Sequence, residues 1–373
     1  MRAMLSGRML LAALVALMLV LAACADDEAE EPTDDDVADD PVDDDPADDE
    51  ADDDEPADDP DDDEPADEPD DDPVALDIVA FSPPSLGAFL PAVIADQRFD
   101  LDNGLDITFE QRPPDAYNTE FGTGQFQVGG SGSLMSEAVR LTEGVEVVYL
   151  FNVHDYWGGL VSTDPELTDI TDLDGQSLSG VTGSTNYAMF LWFAQAAGVD
   201  IDNVDVENHP PPALGTQAQT ARTDFVQIFE PGYTLLMAQE IDHVTDVPLP
   251  FELWEEEFGS DDIPFLGIAV HQEWLDENED LVEPLHATYV QAADWSLANP
   301  DEAAQVIAES IEGGGDTEAE ALSGLLADND RLGLNVRWSS EIAEGIENVF
   351  EAGVDIDYFE TPPDADLIYE GGN

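Results

Sequence analysis

Beyond residue 73 the chain alternates between a two-residue and a three-to-four-residue hydrophobic rhythm. Leu76-Asp77-Ile78-Val79-Ala80-Phe81 alternates and then turns apolar, as a strand entering a sheet does, and Ser82-Pro83-Pro84-Ser85 interrupts it. Leu86, Phe89, Leu90, Val93 and Ile94 fall at helical spacing up to Gln97. Gly104 turns the chain into a second strand over 105–109, and a short helix over 117–121 and a strand over 126–128 follow. Gly129-Gly130-Ser131-Gly132-Ser133 reads as a loop opening a helix at 134–141, and 145–151 is the next strand. A second run begins near Leu160, with strands expected at 177–181, 204–207, 225–229 and 241–244 and helices at 214–221 and 233–239. A strand running back over 263–270 is followed by helix on helix: 272–277, 279–297, 300–311, 317–327 and 341–352.

Strand, loop and helix in alternation predict an α/β fold with mostly parallel sheets, where ligands lie beyond the carboxyl ends of strands. Three early loops qualify: 82–86, 129–133 and 152–157. A fourth stretch has the same form. Gly180-Val181-Thr182-Gly183-Ser184-Thr185-Asn186-Tyr187 reads as a strand end, a glycine turn and a hydroxyl-rich cap, running into an apolar helix closed by Gly198. The first N–H groups of such a helix have no intrahelical partner, so they can cradle an anionic or strongly polar group. An ordinary capped helix fits the same residues.

The front of the chain has a different character. Arg2 and Arg8, an apolar run over 9–20 and small residues before Cys24 make 1–23 read as a secretory signal. Leu21-Ala22-Ala23-Cys24 resembles the bacterial lipobox; Cys24 is the sole cysteine, and the resemblance implies its lipidation. Residues 24–73 carry 31 acidic residues and no basic one, the composition of an extended acidic tether. The whole chain has 89 acidic residues against 8 basic ones and a formal net charge of −81. Lysine is absent, and beyond residue 73 the cations are Arg98, Arg112, Arg140, Arg222, Arg331 and Arg337. Such charge opposes compaction at low ionic strength, and a Debye length of roughly 3 Å at 1 M salt removes most of that repulsion, so the sequence predicts a halophilic protein. Without a basic patch, nucleic acid is excluded as a partner.

The order of features resembles a family: the extracytoplasmic substrate-binding proteins of nitrate, sulfonate and taurine ABC importers, with their relatives for thiamine-pyrimidine precursors. The matching residues are Gly87-Ala88-Phe89-Leu90-Pro91-Ala92-Val93-Ile94-Ala95 with Phe99, Gly104-Leu105-Asp106-Ile107, Asp172-Leu173-Asp174-Gly175-Gln176-Ser177-Leu178, Gly183-Ser184-Thr185, and Thr223-Asp224-Phe225-Val226-Gln227-Ile228-Phe229-Glu230-Pro231. They cover 76–352. The resemblance implies a two-lobed periplasmic-binding-protein-like fold of type II with two hinge crossings. Lobe one is 74–160 with 266–373 and its helical tail packed back on it; lobe two is 161–265. Crossings are expected near 160–162 and 265–270, with a cleft between the lobes that closes on its ligand.

Ser82 and Ser85, then Ser131 and Ser133, are expected in that cleft from lobe one, facing Ser184, Thr185, Asn186 and Glu230 from lobe two. His154, Tyr156 and Trp157 are candidates for an aromatic wall, or fill the lobe interface, and Tyr187 is, with Tyr156 and Trp157, a ring on which a heterocycle would stack. As a ligand group, Glu230 favours an amine or a ring N–H; otherwise it is one more acid. Arg140 and Arg222 read as helix-end residues paired with neighbouring acids, and Phe190, Trp192 and Phe193 as core. G-x-S-x-G, P-loop and H-E-x-x-H motifs are absent, so the expected role is not enzymatic, with no cofactor and no metal.

The expected function is that of a lipid-anchored, monomeric solute-binding component at the outer face of the cytoplasmic membrane. It would serve ABC permease and ATPase subunits, taking taurine, an alkanesulfonate or nitrate. A thiamine-pyrimidine-like heterocycle or a quaternary amine are the alternatives, and a surface enzyme or a structural surface protein the rivals of another class.

Overall fold

The computed structural model describes residues 72–372; the signal, Cys24 and most of the acidic stretch lie outside the described residues. Eleven strands are formed there: β1 (Val74–Phe81), β2 (Leu105–Arg112), β3 (Val128–Ser133), β4 (Val147–Asp155), β5 (Gly159–Ser162), β6 (Ser177–Gly180), β7 (Asp205–Asn208), β8 (Phe225–Ile228), β9 (Thr245–Asp246), β10 (Pro264–His271) and β11 (Leu334–Trp338). They make two sheets, ordered β11-β4-β10-β3-β1-β2 and β7-β6-β8-β5-β9. The heart of each is parallel: β1 pairs with β2 and β3, and β6 with β7 and β8. β10 runs antiparallel between β3 and β4, and β5 antiparallel to β8.

This is the mixed α/β, two-lobed architecture expected of the chain. The passages between sheets lie over 156–158 and 247–263. The stretches expected to cross fall inside strands instead, 160–162 in β5 and 265–270 in β10. The strand expected at 241–244 is a turn, and pairing begins at Thr245.

The largest departure is at 129–133. The expected glycine loop is strand β3, buried at every position. A Cβ on Gly129 would stand 2.5 Å from the Tyr117 hydroxyl, one on Gly130 2.8 Å from Ile78, and one on Gly132 2.9 Å from Glu137. Glycine is required there because neighbouring side chains pack directly on the backbone, not because the chain turns.

One core runs beneath the first sheet, with Ile78, Val93, Phe121, Leu150 and Phe151 excluded from water, and the helix Thr185–Ala196 joins it through Phe190, Trp192 and Phe193. Phe193 stacks on Tyr156 at 5.9 Å, and Trp192 meets Trp254 edge-on at 5.0 Å. A smaller core of Val161, Leu214, Val226, Ile228 and Leu236 lies against the second sheet. The helical tail packs on the first lobe through Val282–Ala298 and Pro300–Ser310, which lie along the helix Phe89–Gln97. It also reaches the second lobe: the helix Asp316–Ala327 touches Gly232–Met237, and Ala343–Asp355 touches Thr185–Ala196.

Candidate ligand-binding cleft

Residues at or just past the carboxyl ends of all six parallel strands line one cleft of about 520 Å³. Phe81 ends β1 and Ser85 follows it, Pro113, Pro114, Asp115, Tyr117 and Asn118 follow β2, and Ser133 ends β3 with Ser136 after it. The second lobe answers with Gly183 to Asn186 after β6, Asn208 to Pro211 after β7, and Phe229 and Glu230 after β8. Phe265 and Leu266, where antiparallel β10 begins, complete it.

Local chemistry sets each wall. Ser184 caps the helix Thr185–Ala196 by accepting from the Tyr187 N–H at 3.1 Å, so the first-turn N–H groups of Thr185 and Asn186 stand at the cleft without an intrahelical partner. Opposite, Ser133 caps the helix Leu134–Thr142 by accepting from the Ser136 N–H at 3.3 Å, and its hydroxyl donates to Ser136 Oγ at 2.9 Å. Ser85 Oγ accepts from the Gly87 N–H at 3.3 Å. Phe81 and Tyr117 meet edge-on at 4.8 Å and supply the apolar wall.

Glu230 is 1% exposed. Its Oε2 accepts from the Thr234 N–H at 3.1 Å and its Oε1 from the Thr234 hydroxyl at 2.9 Å. Burial pushes its carboxyl above the ordinary glutamate range, against the pull of those bonds and of Arg331, whose Nη1 lies 4.0 Å away. Each carboxylate oxygen keeps acceptor capacity for a ligand N–H. Asp115 is the second acid in the lining; among the described residues no lysine or arginine belongs to it, and His209 sits 3.2 Å from Glu207.

Of the twelve expected ligand groups, Ser85, Ser133, Ser184, Thr185, Asn186 and Glu230 come together on this cleft. The other six do not line it. Ser82 joins β1 to β2 through its N–H on Arg112 O at 2.8 Å. Ser131 donates to Gly87 O and accepts from the Phe81 N–H, both at 2.9 Å, which pins the loop after β1 to β3. His154 is inside β4, its Nδ1–H on Leu332 O at 3.0 Å, and burial pulls its pKa down to about 4. Tyr156 donates to Asn186 O at 3.3 Å, Trp157 packs on Tyr233 at 4.9 Å, and Tyr187 lies against Phe190 at 5.8 Å. These aromatics pack in the cores and at the first crossing.

Asp115, Asn118, Asn208 and His209 lie on the cleft without a motif of their own in the sequence. The strand-end rule, applied to β2 and β7, would have found them, since Arg112-Pro113-Pro114 and His209-Pro210-Pro211 mark where those strands must stop. Arg140 stands one residue behind the cleft, its Nε on Glu137 at 2.9 Å and its Nη2 on Asn118 Oδ1 at 2.6 Å. Arg222 is exposed.

A family profile described as NMT1/THI5 like matches residues 93–303, more than half of the chain. The chain belongs to the NMT1/THI5-like family. The aliphatic sulphonate binding protein SsuA of Escherichia coli shares the fold of this NMT1/THI5-like chain with a TM-score of 0.64 at 14% identity, over 80% of this chain and 93% of that one. The alkanesulfonate-binding protein SsuA of Xanthomonas axonopodis pv. citri, bound to MOPS, gives 0.63 at 13%, over 80% and 99%. The nitrate-binding protein NrtA of Synechocystis PCC 6803 gives 0.59 at 13%, over 79% and 84%. At such identities the likeness establishes the fold. No curated protein sequence matches the chain. The fold is that of these binding proteins.

Proposed function

We propose that this NMT1/THI5-like protein is the extracytoplasmic solute-binding component of an ABC importer, and that its ligand is a small solute with a donor-bearing or cationic end and a polar or anionic end. Taurine is the member of the expected set with both. The observation that carries this reading is the polarity of the cleft: helix N–H groups and hydroxyls at Ser184–Asn186, the Glu230 and Asp115 carboxylates, and no lysine or arginine in the lining. A sulfonate belongs at the helix N-terminus, where the helix dipole favours negative charge. An ammonium belongs at Glu230. Nitrate and amine-free alkanesulfonates have nothing to offer the carboxylates, and among the described residues no lysine or arginine lines the cleft to clamp them.

A second reading has its own support. The Phe81–Tyr117 pair and Phe229 offer ring faces and edges to a flat nitrogen heterocycle whose N–H groups reach Glu230. Thermal unfolding in molar salt, with and without each solute, separates the classes, because a ligand bound only by the folded state raises the midpoint. Taurine raises it while ethanesulfonate and nitrate do not; an aminopyrimidine raising it more than taurine moves the assignment to the heterocycle. No shift with any solute contradicts both.

Lipidation at Cys24, the acidic tether and a need for molar salt belong to the same reading. Cys24→Ser is expected to release the protein from the cell surface, and unchanged retention removes the anchor from the account.

A further inference from the structure

Two arginines of the C-terminal segment join parts that the chain otherwise keeps separate. Arg337 lies in β11, and its Nη2 stands 2.8 Å from Asp262 and 3.3 Å from Asp155. Asp155 ends β4, where the chain leaves the first sheet, and Asp262 stands just before β10, where it returns. One guanidinium therefore holds both crossings. Asn335 and Asn152 add donors to Asp155 at 3.0 and 2.9 Å. Between the arginines, Leu332 O accepts from His154 Nδ1–H and Gly333 O from the Asp155 N–H at 2.7 Å, which fastens the segment to β4.

Arg331 reaches the other way. Its Nη1 lies 4.0 Å from Glu230 and its guanidinium carbon 5.5 Å from the centre of the Tyr233 ring, and both of those residues belong to the second lobe. Glu230 lines the cleft and Arg331 does not. A segment rooted on the first lobe thus presents a cation to a buried carboxylate of the second. Separating the lobes would withdraw that cation.

We propose that Arg331 is a positioning residue for ligand capture: through Glu230 it draws the second lobe onto the first, so that residues 331–337 act as a strap between the lobes. This rests on the reading of the cleft as one that closes on a solute. Arg337 sets the strap against the crossings and Arg331 supplies the pull. The partly buried Arg331 is screened by molar salt less than surface pairs are, so the strap suits a chain of this charge.

The test needs no ligand, so its outcome stands apart from the identity of the solute. In the full chain carrying Cys24→Ser, nitroxide labels on Asp102→Cys of the first lobe and Asp202→Cys of the second report lobe separation by pulsed electron resonance in molar salt. Arg331→Met keeps the apolar stem over Tyr233 and removes the charge; it is expected at least to double the long-distance population. Arg331→Gln does the same. Arg331→Lys, which restores a cation, returns the distribution toward that of the unmodified strap, and Arg222→Gln leaves it unchanged. Distributions that do not move in Arg331→Met or Arg331→Gln overturn the proposal, as does a shift of equal size in Arg331→Lys.

Discussion

The side-chain amide of Gln227 donates to Asn186 Oδ1 at 2.7 Å, within a fully buried part of the second lobe. Asn186 in turn donates from Nδ2 to Trp157 O at 3.4 Å, and its own backbone oxygen accepts the Tyr156 hydroxyl at 3.3 Å. A residue at the N-terminus of the cleft helix is thereby tied to the first crossing. Asn186 lines the cleft from the first turn of that helix, while its side chain is committed to Gln227 and Trp157.

Asn186→Leu follows directly from that arrangement. Gln227 Oε1 already has no partner, and the substitution strips Nε2 of its acceptor. A buried amide left unpaired costs about 1–3 kcal/mol, and chemical unfolding in molar salt should read a loss of that size. A loss under about 0.5 kcal/mol, the range of an ordinary surface substitution, would show that the contact carries no stability.

Gly130→Ala tests why β3 is built of glycine and serine. The new methyl would meet Ile78 Cγ2 at 2.8 Å in a fully buried strand. Overpacking of this kind costs about 1–3 kcal/mol, measured in the same way. A neutral outcome would mean that the stretch behaves as the loop its composition suggests.

That strand marks the boundary of what could be read in the sequence. β1, β2 and the tail helices were legible because their apolar residues repeat at two or at three to four. β3 carries its information in missing side chains, which have no periodicity. The hydrophobic pattern ends β4 at Phe151, but the strand pairs on to Asp155, so His154 lies in the sheet and Tyr156 and Trp157 in the crossing instead of at the cleft. The cleft helix was legible because Gly183-Ser184-Thr185 announces a cap. Asp115 and Asn208 were hidden by loops that look like plain strand stops. Arg331 was beyond sequence reading, since its partner Glu230 is about a hundred positions away.

Stability should also depend on pH through Glu137. Burial without full compensation by Arg140 raises its pKa to about 7 from an ordinary 4.5. A raised folded-state value means that its stabilisation is complete below pH 4.5 and is lost as pH rises through about 7. At 2.303RT per pH unit the span from 4.5 to about 7 is roughly 3 kcal/mol. Asp155, raised to about 6, has the same sign. His154 has the opposite one: its pKa of about 4 gives a contribution that is present above pH 6.5 and lost as pH falls through 4. The difference between the unmodified protein and Glu137→Gln isolates the first effect, and a difference that stays flat from pH 4.5 to 7.5 would refute it.

The charge balance of 89 acids to 8 basic residues makes a further expectation. The thermal midpoint should climb as salt rises from about 0.1 M, where the Debye length is roughly 10 Å, toward the molar range, where it is roughly 3 Å. A midpoint that falls or holds constant over that interval removes halophily from the account.

The central claim is that the cleft holds a solute by two ends, one at the Ser184–Asn186 helix terminus and one at Glu230. Calorimetric titration of taurine into the full chain in molar salt tests it most directly. One site per chain is expected, with an affinity at least tenfold weaker in Glu230→Gln and a smaller loss in Ser184→Ala. Taurine binding indifferent to Glu230→Gln, or ethanesulfonate binding as tightly as taurine, would contradict it.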